Sequence, residues 1–316
     1  MDLAIVIVNW NVRRLLQACL ASVYQDLENS SLTGEVWLVD NASTDGSTEM
    51  VREQFAQARL VANETNVGFA AANNQALRAM GFPSAEPQDL PRYVLILNPD
   101  TEVLDDALTT MVGFLDENPH AGVAGAKLLY PDGRLQHSAF AFPTLAQAFL
   151  DFFPLHYRLL NSRLNGRYPR RLYERGEPFP IDHPLGAALM ARREAIQQVG
   201  LLDERFFIYC EEIDWCMRMK QAGWDVYCVP RAKVVHHEAR STQQVRGEMF
   251  VALWRSRYLL FEKHYSPFYQ WAVRRIVRLG LRAEKRRAMA ATKRGKISKG
   301  ELENCLAAYR AVREMS

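Results

Sequence analysis

A carboxylate ends one of the most apolar stretches of the chain. Residues 95–103 read LILNPDTEV, so an apolar run stops at Asn98, a proline and Asp100. An aspartate at the end of a buried strand can bind Mg²⁺ or Mn²⁺, which prefer oxygen ligands and take few of them from the protein when phosphates and water complete the shell. Asp100 is therefore a candidate metal ligand. The alternative is that Asp100 only caps a helix predicted to begin near Leu104.

A group of acidic residues is the second candidate for chemistry. The segment CEEIDW places Glu211, Glu212 and Asp214 in one predicted helix. On a helical wheel Glu212 borders the buried apolar face, whereas Glu211 and Asp214 share another side with Arg218. Partial desolvation would raise the pKa of Glu212, which suits a general base working near neutral pH. A structural alternative stays open, because acids stabilise the first turn of a helix and Asp214 can pair with Arg218 one turn away.

These residues need elements that bring them together, and from residue 3 to about 126 the pattern alternates strands with helices. The predicted strands are 3–8, 36–40, 59–62 and 93–97. Apolar residues at helical spacing follow the strands, and the last such run extends from Leu104 to Asn118. Strands separated by helices predict an α/β fold with a mostly parallel sheet.

Ligands of such sheets bind beyond the carboxyl ends of the strands. Polar segments follow all four predicted strands: VNWN at 8–11, Asp40 with its neighbour, NETNVG at 63–68 and NPD at 98–100. One polar strand end is ordinary, but four at the same edge indicate a ligand site. Farther along, regular pattern returns at 186–193, in the acidic helix, and in two predicted short strands at 226–229 and 233–237.

Composition limits the class of protein. The chain has 316 residues, of which 48% are hydrophobic, and this suffices for a large α/β core with an appendage. Its five scattered cysteines predict neither a zinc cluster nor a disulfide framework, which fits a reducing compartment. We expect no secretory signal or membrane-spanning segment. The dinucleotide fingerprint GxGxxG after the first strand and the phosphate loop are both missing, so bound phosphates would need another counter-charge.

Six segments in order carry a resemblance to a known family. They are VIVNWN, VDNASTDGST, NVGFAAANN, LILNPDTEV, GAALMARREAIQQVGLLDERFFIYCEEIDWCMR and VVHHEARS. Their order and spacing resemble inverting glycosyltransferases of family 2, and more closely its rhamnosyltransferase-like branch, which acts on bacterial cell-surface polysaccharides. The resemblance covers about residues 3–265. It implies the A-type glycosyltransferase fold, a Rossmann-like, mostly parallel mixed sheet flanked by helices.

The resemblance implies a nucleoside diphosphate sugar donor and residues that bind it. Asp40 matches the carboxylate that accepts a hydrogen bond from a uracil or thymine ring. Asn98 stands where many members have an aspartate, which removes a charge and predicts a weaker affinity for metal. The other implied donor-binding residues are Val8, Asn11, Asn66, Gly68, Asn74, Asp100, Gly186 and Ala187.

The resemblance also implies a Mg²⁺ or Mn²⁺ cofactor. Asp100 and His236 match the protein ligands, and His237 is the rival of His236. The segment HHEARS resembles the family's HxxGxS, with Ala239 in place of the glycine.

The catalytic base implied by the resemblance is the second acid of a Glu-Asp motif. That position holds Glu212, and Glu211 and Asp214 are the alternatives. The base would take the proton of an acceptor hydroxyl as its oxygen attacks the anomeric carbon and displaces the nucleoside diphosphate with inversion. The metal would stabilise the charge of the leaving group.

The C-terminal part is strongly basic. Residues 255–300 hold 14 Lys and Arg against 2 Asp and Glu, whereas residues 1–254 are acidic overall. In the predicted helix at 270–287, basic residues cluster on one side and an apolar set lies opposite: Val273, Ile276, Val277 and Gly280. This predicts a helix that lies on anionic lipid, and packing of the apolar side on the domain is the alternative. No nucleic-acid binding is expected.

We therefore expect a nucleotide-sugar-binding half (1–126), an acceptor-binding and catalytic half (127–265) and a basic amphipathic helical tail (266–316). The expected protein is a metal-dependent inverting glycosyltransferase of cell-surface polysaccharide synthesis, peripheral on the cytoplasmic face of the membrane. The resemblance favours dTDP-rhamnose as donor and a saccharide or polyprenol-linked saccharide as acceptor. Two alternatives stay open: a UDP-sugar-dependent transferase of the same fold, and a degenerate relative that binds nucleotide or membrane without catalysis.

Overall fold

The computed structural model describes residues 1–237 and 246–315. Strands and helices alternate from Leu3 to Leu97, as the periodicity predicted, and a further strand (Thr101–Leu104) follows directly. The first half of the chain contains β1 (Leu3–Asn9), α1 (Arg13–Glu28), β2 (Gly34–Asp40), α2 (Ser47–Gln54), β3 (Arg59–Ala62), α3 (Phe69–Met80), β4 (Tyr93–Leu97), β5 (Thr101–Leu104), α4 (Ala107–Glu117), β6 (Ala121–Leu129), β7 (Leu135–Gln136), β8 (Ala139–Phe140), α5 (Leu145–Phe152) and α6 (Tyr157–Leu160).

Helices dominate the remainder of the chain. It contains α7 (Arg170–Glu174), β9 (Phe179–Pro180), β10 (His183–Pro184), β11 (Ala188–Arg192), α8 (Arg193–Val199), α9 (Glu211–Gln221), β12 (Asp225–His236), α10 (Arg246–His264), α11 (Pro267–Lys293) and α12 (Lys299–Met315).

The chain forms two compact units. The sheet unit comprises Met1–Ala141, Tyr168–Phe207 and Glu211–Ser241, and the helical unit comprises Phe142–Arg167, Ile208–Cys210 and Thr242–Ser316. These units do not follow the predicted boundaries after residues 126 and 265, because strands from both predicted halves share one sheet. The functional roles given to the predicted parts stay predictions.

Ten strands of the described chain form one mixed sheet. Their order is β3-β2-β1-β4-β11-β6-β12-β5, with β7 added to β6 and β9 added to β12. β1 pairs in parallel with β2 and β4, whereas β11 runs antiparallel to β4 and β6. β1 and β4 are buried along their whole length, which is why their sequences are continuous apolar runs instead of alternating ones. Helices flank this sheet, so the predicted α/β fold class is confirmed.

Two local predictions were wrong near the strand ends. Leu104 does not begin a helix but ends β5, which pairs antiparallel with the end of β12, and α4 begins at Ala107. Asp100 therefore does not cap α4, whose N-cap position is Asp106. The two predicted strands after residue 225 are one strand, β12, with an irregular register between Val229 and Lys233. The pairing of β5 with β12 is a contact between distant residues, which local periodicity cannot reveal.

The helical unit packs the C-terminal helices together. α11 packs against α5 and α12, and α10 packs against α12. Val273, Val277 and Gly280 are buried, so most of the apolar side predicted to face lipid is covered by protein instead. Gly280 permits this packing, since a Cβ atom at that position would overlap the ring of Phe152. None of the described helices has the length and hydropathy required to cross a bilayer.

Candidate active site

The polar strand ends lie at one edge of the sheet unit. β1, β2 and β4 run parallel, so Asn9, Asp40 and Asn98 lie at or just beyond their carboxyl ends on the same side. β11 runs antiparallel to β4 and begins at this edge. The backbone N–H of Asn98 donates to the carbonyl oxygen of Ala187 at 2.9 Å. Sheet topology thus joins two predicted donor-binding segments that are distant in sequence.

Asp40 belongs to a buried network at the ends of β1 and β2. One carboxylate oxygen accepts a hydrogen bond from Nδ2 of Asn9 at 2.7 Å, and the other accepts one from the backbone N–H of Ser43 at 2.8 Å. Asn9 is fully buried, and its own Oδ1 has no hydrogen-bond partner in the part of the chain that the structure describes. Such an acceptor marks a place where a ligand could donate. The sequence reasoning missed Asn9, although an asparagine at the end of a buried apolar strand was the available signal.

Asn11 fixes the loop after β1 against the loop after β2. Its φ angle is 53°, a conformation that asparagine adopts more readily than most residues. Its Oδ1 accepts a hydrogen bond from the N–H of Thr44 at 2.8 Å, and its own N–H donates to Oγ of Ser43 at 2.9 Å. Val8 is buried in β1. Contact of Val8 and Asn11 with a nucleotide stays a prediction.

Asn66 and Gly68 form a tight turn before α3. The N–H of Gly68 donates to Oδ1 of Asn66 at 2.9 Å. Gly68 has a φ angle of 89°, and a Cβ atom there would lie 2.6 Å from the carbonyl oxygen of Phe207. The backbone therefore requires glycine at this position, whatever the turn binds.

Asn74 is fully buried in α3 and holds a distant loop. Its Nδ2 donates to the carbonyl oxygen of Leu202 at 2.8 Å and to Oε1 of Glu204 at 2.9 Å, and its Oδ1 accepts from the N–H of Leu202 at 3.1 Å. These contacts are structural, and contact of Asn74 with a donor stays a prediction.

The pairing of β5 with β12 brings together the two residues predicted to bind metal. Thr101 lies opposite His236 in the strand register, and Nε2 of His236 is 3.4 Å from Oδ1 of the adjacent Asp100. Both side chains are buried. Nδ1 of His236 is 3.1 Å from Oε1 of Gln136, a buried residue that the sequence reasoning missed. When Nδ1 donates to this amide oxygen, Nε2 carries a lone pair toward the carboxylate.

This pair has the donor chemistry of a metal site. A carboxylate oxygen and an unprotonated imidazole nitrogen can both donate an electron pair to a divalent cation. Residues 1–237 and 246–315 contain no group of three or more His, Cys, Asp or Glu side chains able to hold a metal. A cation at Asp100 and His236 would therefore take its other ligands from phosphate and water, as Mg²⁺ commonly does.

His237, the rival ligand, has a different environment. Its Nε2 is 2.5 Å from Oε1 of Glu102, and its backbone N–H donates to the carbonyl oxygen of Asp100 at 2.9 Å. The side chain of His237 thus contacts Glu102, while His236 contacts Asp100. The rest of the HHEARS segment, including Ala239, lies outside the described residues.

The acids of α9 occupy three different environments. Glu211 is buried, and one of its oxygens has no hydrogen-bond partner among the described residues. Burial, with the nearby charge of Glu212, raises the pKa of Glu211 well above its usual range. Asp214 is fully buried and accepts a hydrogen bond from Nε of Arg218 at 2.9 Å. Glu212 is only partly buried.

The helical wheel was wrong about this helix. It placed Glu211 and Asp214 away from the buried face, but α9 packs against α8, β10 and β12 and is buried over most of its surface. The burial of Asp214 is compatible with its charge because Arg218 neutralises it and also donates to the carbonyl oxygens of Val199 and Leu201.

Glu212 lies beside the segment that begins β11. A Cβ atom built on Gly186 would be 3.5 Å from Cγ of Glu212 and 3.7 Å from its Cδ. The next residue, Ala187, accepts a hydrogen bond from the backbone N–H of Asn98. Asn98 in turn lies two residues before Asp100 in the sequence. The candidate base and Asp100 therefore both lie close to the short segment formed by Gly186 and Ala187.

The fold is that of a glycosyltransferase of the A type. One similar structure is the mannosyltransferase PcManGT from Pyrobaculum calidifontis in complex with GDP-Man and Mn²⁺, with a TM-score of 0.55 and 17% identity over 99% of this chain and 83% of that chain. Another is GalNAc-T7 with UDP, GalNAc and Mn²⁺, with a TM-score of 0.56 and 17% identity over 74% of this chain and 43% of that chain. The predicted A-type fold is confirmed.

The chain belongs to glycosyl transferase family 2, whose family model matches residues 4–200. Among its curated relatives is the N-acetylglucosaminyl-diphospho-decaprenol L-rhamnosyltransferase of Mycobacterium tuberculosis, which is 28% identical over 276 residues, or 80% of this chain and 87% of that protein. The predicted family and its rhamnosyltransferase-like branch are thus confirmed. The individual site residues stay predictions.

Proposed function

We propose that this protein is a metal-dependent inverting glycosyltransferase that transfers rhamnose from dTDP-rhamnose to a lipid-linked saccharide in cell-surface polysaccharide synthesis. Membership of family 2 and the similarity to the mycobacterial rhamnosyltransferase support the reaction class, the rhamnosyl group and a polyprenol-linked acceptor. The observation that carries the mechanism is the proximity of Glu212 to Gly186: a Cβ atom built on Gly186 would be 3.7 Å from Cδ of Glu212, so a partly accessible carboxylate lies beside the predicted donor segment.

Glu212 is the best of the three candidate bases. A base must be ionised and must reach the acceptor hydroxyl. Burial, with the nearby charge of Glu212, raises the pKa of Glu211 well above its usual range and so disfavours the ionised form that a base needs. Asp214 is fully buried and bound by Arg218. Glu212 remains, and its partial exposure allows an acceptor to approach.

The proposed reaction is a single displacement. Glu212 accepts the proton of the acceptor hydroxyl, and the hydroxyl oxygen forms a bond to the anomeric carbon of the donor sugar. The bond from that carbon to the diphosphate oxygen breaks on the opposite face, and the nucleoside diphosphate leaves with the electron pair. Attack opposite the leaving group inverts the anomeric configuration.

Asp100 and His236 are the proposed protein ligands of Mg²⁺ or Mn²⁺. Their donor atoms fit such an ion, and Gln136 orients His236 through Nδ1. When bound, the ion supplies Lewis acidity that stabilises the charge gathering on the departing diphosphate. Asp40 is the proposed partner of the nucleotide base, together with Oδ1 of Asn9, which has no hydrogen-bond partner among the described residues.

We place the protein on the cytoplasmic face of the membrane as a peripheral enzyme. A polyprenol-linked acceptor is confined to the bilayer, so a transferase that acts on it must work at that surface. The strongly basic stretch at 255–300 supports attraction to anionic lipid.

The experiment is transfer of radiolabel from dTDP-rhamnose into the lipid fraction of a bacterial membrane extract. We expect transfer that requires Mn²⁺ or Mg²⁺, yields a product with inverted anomeric configuration, and falls by roughly 10²–10⁴-fold in Glu212→Gln while donor binding persists. Asp100→Ala should abolish transfer. Glu53→Gln, which removes a charge from an exposed position in α2, is the matched control and should behave as wild type.

Three outcomes would contradict parts of this proposal. Transfer from a UDP-sugar and not from dTDP-rhamnose would support the alternative donor. Donor binding without transfer from any sugar nucleotide would indicate a degenerate relative. A product with retained configuration would exclude the single displacement.

A further inference from the structure

α11 has a second side that the packing of the helical unit leaves exposed. The residues that pack inward are Val273, Val277, Gly280, Leu281 and Ala288. On the opposite side four large apolar residues recur at helical spacing and are exposed: Phe268 (70%), Trp271 (54%), Leu279 (56%) and Met289 (44%). We call this side, with the basic residues beside these four, the outer face of α11. It holds four of the nine large apolar side chains that are exposed among the described residues.

Basic residues share the outer face with these apolar side chains. The exposed ones are Arg275, Arg278, Arg282, Lys285, Arg286 and Lys293. Arg275 lies over the ring of Trp271, 5.5 Å from its centroid, and Phe268 stacks on the same Trp271 at 5.9 Å. The acidic residue of this helix, Glu284, lies on the inward side and pairs with Arg287.

We infer that the outer face of α11 is a binding surface for anionic bilayers. Exposed aromatic and aliphatic side chains interspersed with arginines suit the boundary between lipid headgroups and acyl chains, where the apolar groups insert and the cations meet phosphates. A solvated helix would expose the charges without the four large apolar groups. This surface lies opposite the apolar side that the sequence predicted to face lipid. The inference rests on the proposed membrane attachment and needs neither the donor sugar nor the transfer step.

An acidic protein could also attract this charge, but the outer face favours lipid. Charged residues are interspersed among the apolar ones along the helix, whereas the core of a protein interface is depleted of charge. A bilayer accommodates such a mixture, since its headgroups are anionic and its acyl region lies a few ångströms deeper.

The test is co-sedimentation of the full chain with vesicles of phosphatidylcholine alone and with about a third phosphatidylglycerol. We expect binding to the anionic vesicles that weakens as salt is added. The variant Phe268→Ala/Trp271→Ala/Leu279→Ala should bind at least tenfold more weakly. The variant Arg275→Gln/Arg282→Gln/Arg286→Gln should lose roughly a hundredfold, since each basic residue contributes roughly fivefold.

Matched controls separate this surface from general effects. Arg170→Gln/Arg171→Gln/Arg175→Gln removes the same charge from exposed positions in and next to α7, and Leu155→Ala/Leu164→Ala removes exposed apolar groups elsewhere in the helical unit. Both controls should bind as wild type does. Thermal unfolding of every variant checks the fold. As a second readout, an environment-sensitive fluorophore on Leu279→Cys in a Cys305→Ser chain should shift to the blue on anionic vesicles.

Several results would overturn the inference. The inference is overturned if the wild type does not bind anionic vesicles, or if both outer-face variants bind as strongly as the wild type. It is also overturned if the fluorescence of the labelled chain does not shift. Binding that depends on the arginines alone would also overturn it, because it would indicate electrostatic docking without insertion. Failure of the transfer proposal is distinguishable, since Glu212→Gln should retain full vesicle binding.

Discussion

Gly186 lies near Glu212, with room for one methyl group between them: a Cβ atom on Gly186 would be 3.5 Å from Cγ of Glu212, an ordinary van der Waals distance. The structure itself therefore does not require glycine here. If the space serves a substrate beside the base, the methyl group should interfere with binding or attack but not with folding.

Gly186→Ala should consequently keep the thermal stability of the wild type and lower kcat/KM by about 10–100-fold, because small displacements at a reacting centre are costly. Steady-state transfer and a thermal melt measure the two effects. Gly68→Ala is the contrasting variant, since its backbone requires glycine and it should lose stability. Unchanged kcat/KM in Gly186→Ala would remove Gly186 from the site.

Glu211 should make the protein less stable as the pH rises. Its pKa is raised in the folded chain, so between the ordinary value of 4.5 and the raised folded value the folded state holds a proton that the unfolded state has lost. The free energy of unfolding should fall with increasing pH across this range. Glu211→Gln cannot ionise and should lack this decline, as urea unfolding at pH 5 to 8 would show. A decline identical to that of wild type would indicate that Glu211 is ionised in the folded chain.

Gln136 should matter for metal affinity without being a ligand. Gln136→Leu removes the acceptor at Nδ1 of His236, and changes to partners of this kind typically lower metal affinity by about 10–100-fold. Titration calorimetry of Mn²⁺ in the presence of a nucleoside diphosphate measures this. His236→Ala should weaken binding more, whereas His237→Ala should have a small effect because His237 contacts Glu102. The reverse order of the two histidines would assign the metal to His237.

The packing of α11 on α5 should depend on Gly280, which has no side chain. Gly280→Ala would force a methyl group against the buried ring of Phe152 and should lower the free energy of unfolding by about 1–2 kcal/mol, after the gain in helix propensity is included. Gly247→Ala in α10 is the control in the same unit, since its Cβ would be 3.9 Å from Cβ of Ala308. That variant should be neutral or slightly more stable. Urea unfolding distinguishes the two.

One cysteine should dominate thiol labelling of the folded protein. Burial raises the pKa of Cys19 and of Cys228 to about 12 and also raises that of Cys216, and Cys210 is buried as well. Only Cys305 is partly exposed. A maleimide should therefore label one thiol per folded chain, none in Cys305→Ser, and five in urea. Rapid labelling of a second thiol would show that a buried site opens.

The sequence by itself determined the class of fold and the identity of the main candidates. Continuous apolar runs at β1 and β4 predicted buried strands of a mostly parallel sheet, because only a strand covered on both faces is apolar at every position. Polar residues after those strands then had to meet at one edge, which placed Asp40, Asn98 and Asp100 near one another. The ordered motifs added the family, which its model match confirms.

Only the tertiary structure decided which side chains are buried, which are paired and which lie close to one another. Periodicity describes one element and its faces, so it could not show that α9 is covered on several sides and that Glu211 is buried. Periodicity also predicted that the helix after Asp100 begins about one turn too early. It could not reveal β5, because β5 pairs with β12, which lies more than a hundred positions away in sequence. The contact of His236 with Gln136 and the proximity of Glu212 to Gly186 have the same origin. Burial and pairing between distant segments are properties of the folded chain, and no local pattern encodes them.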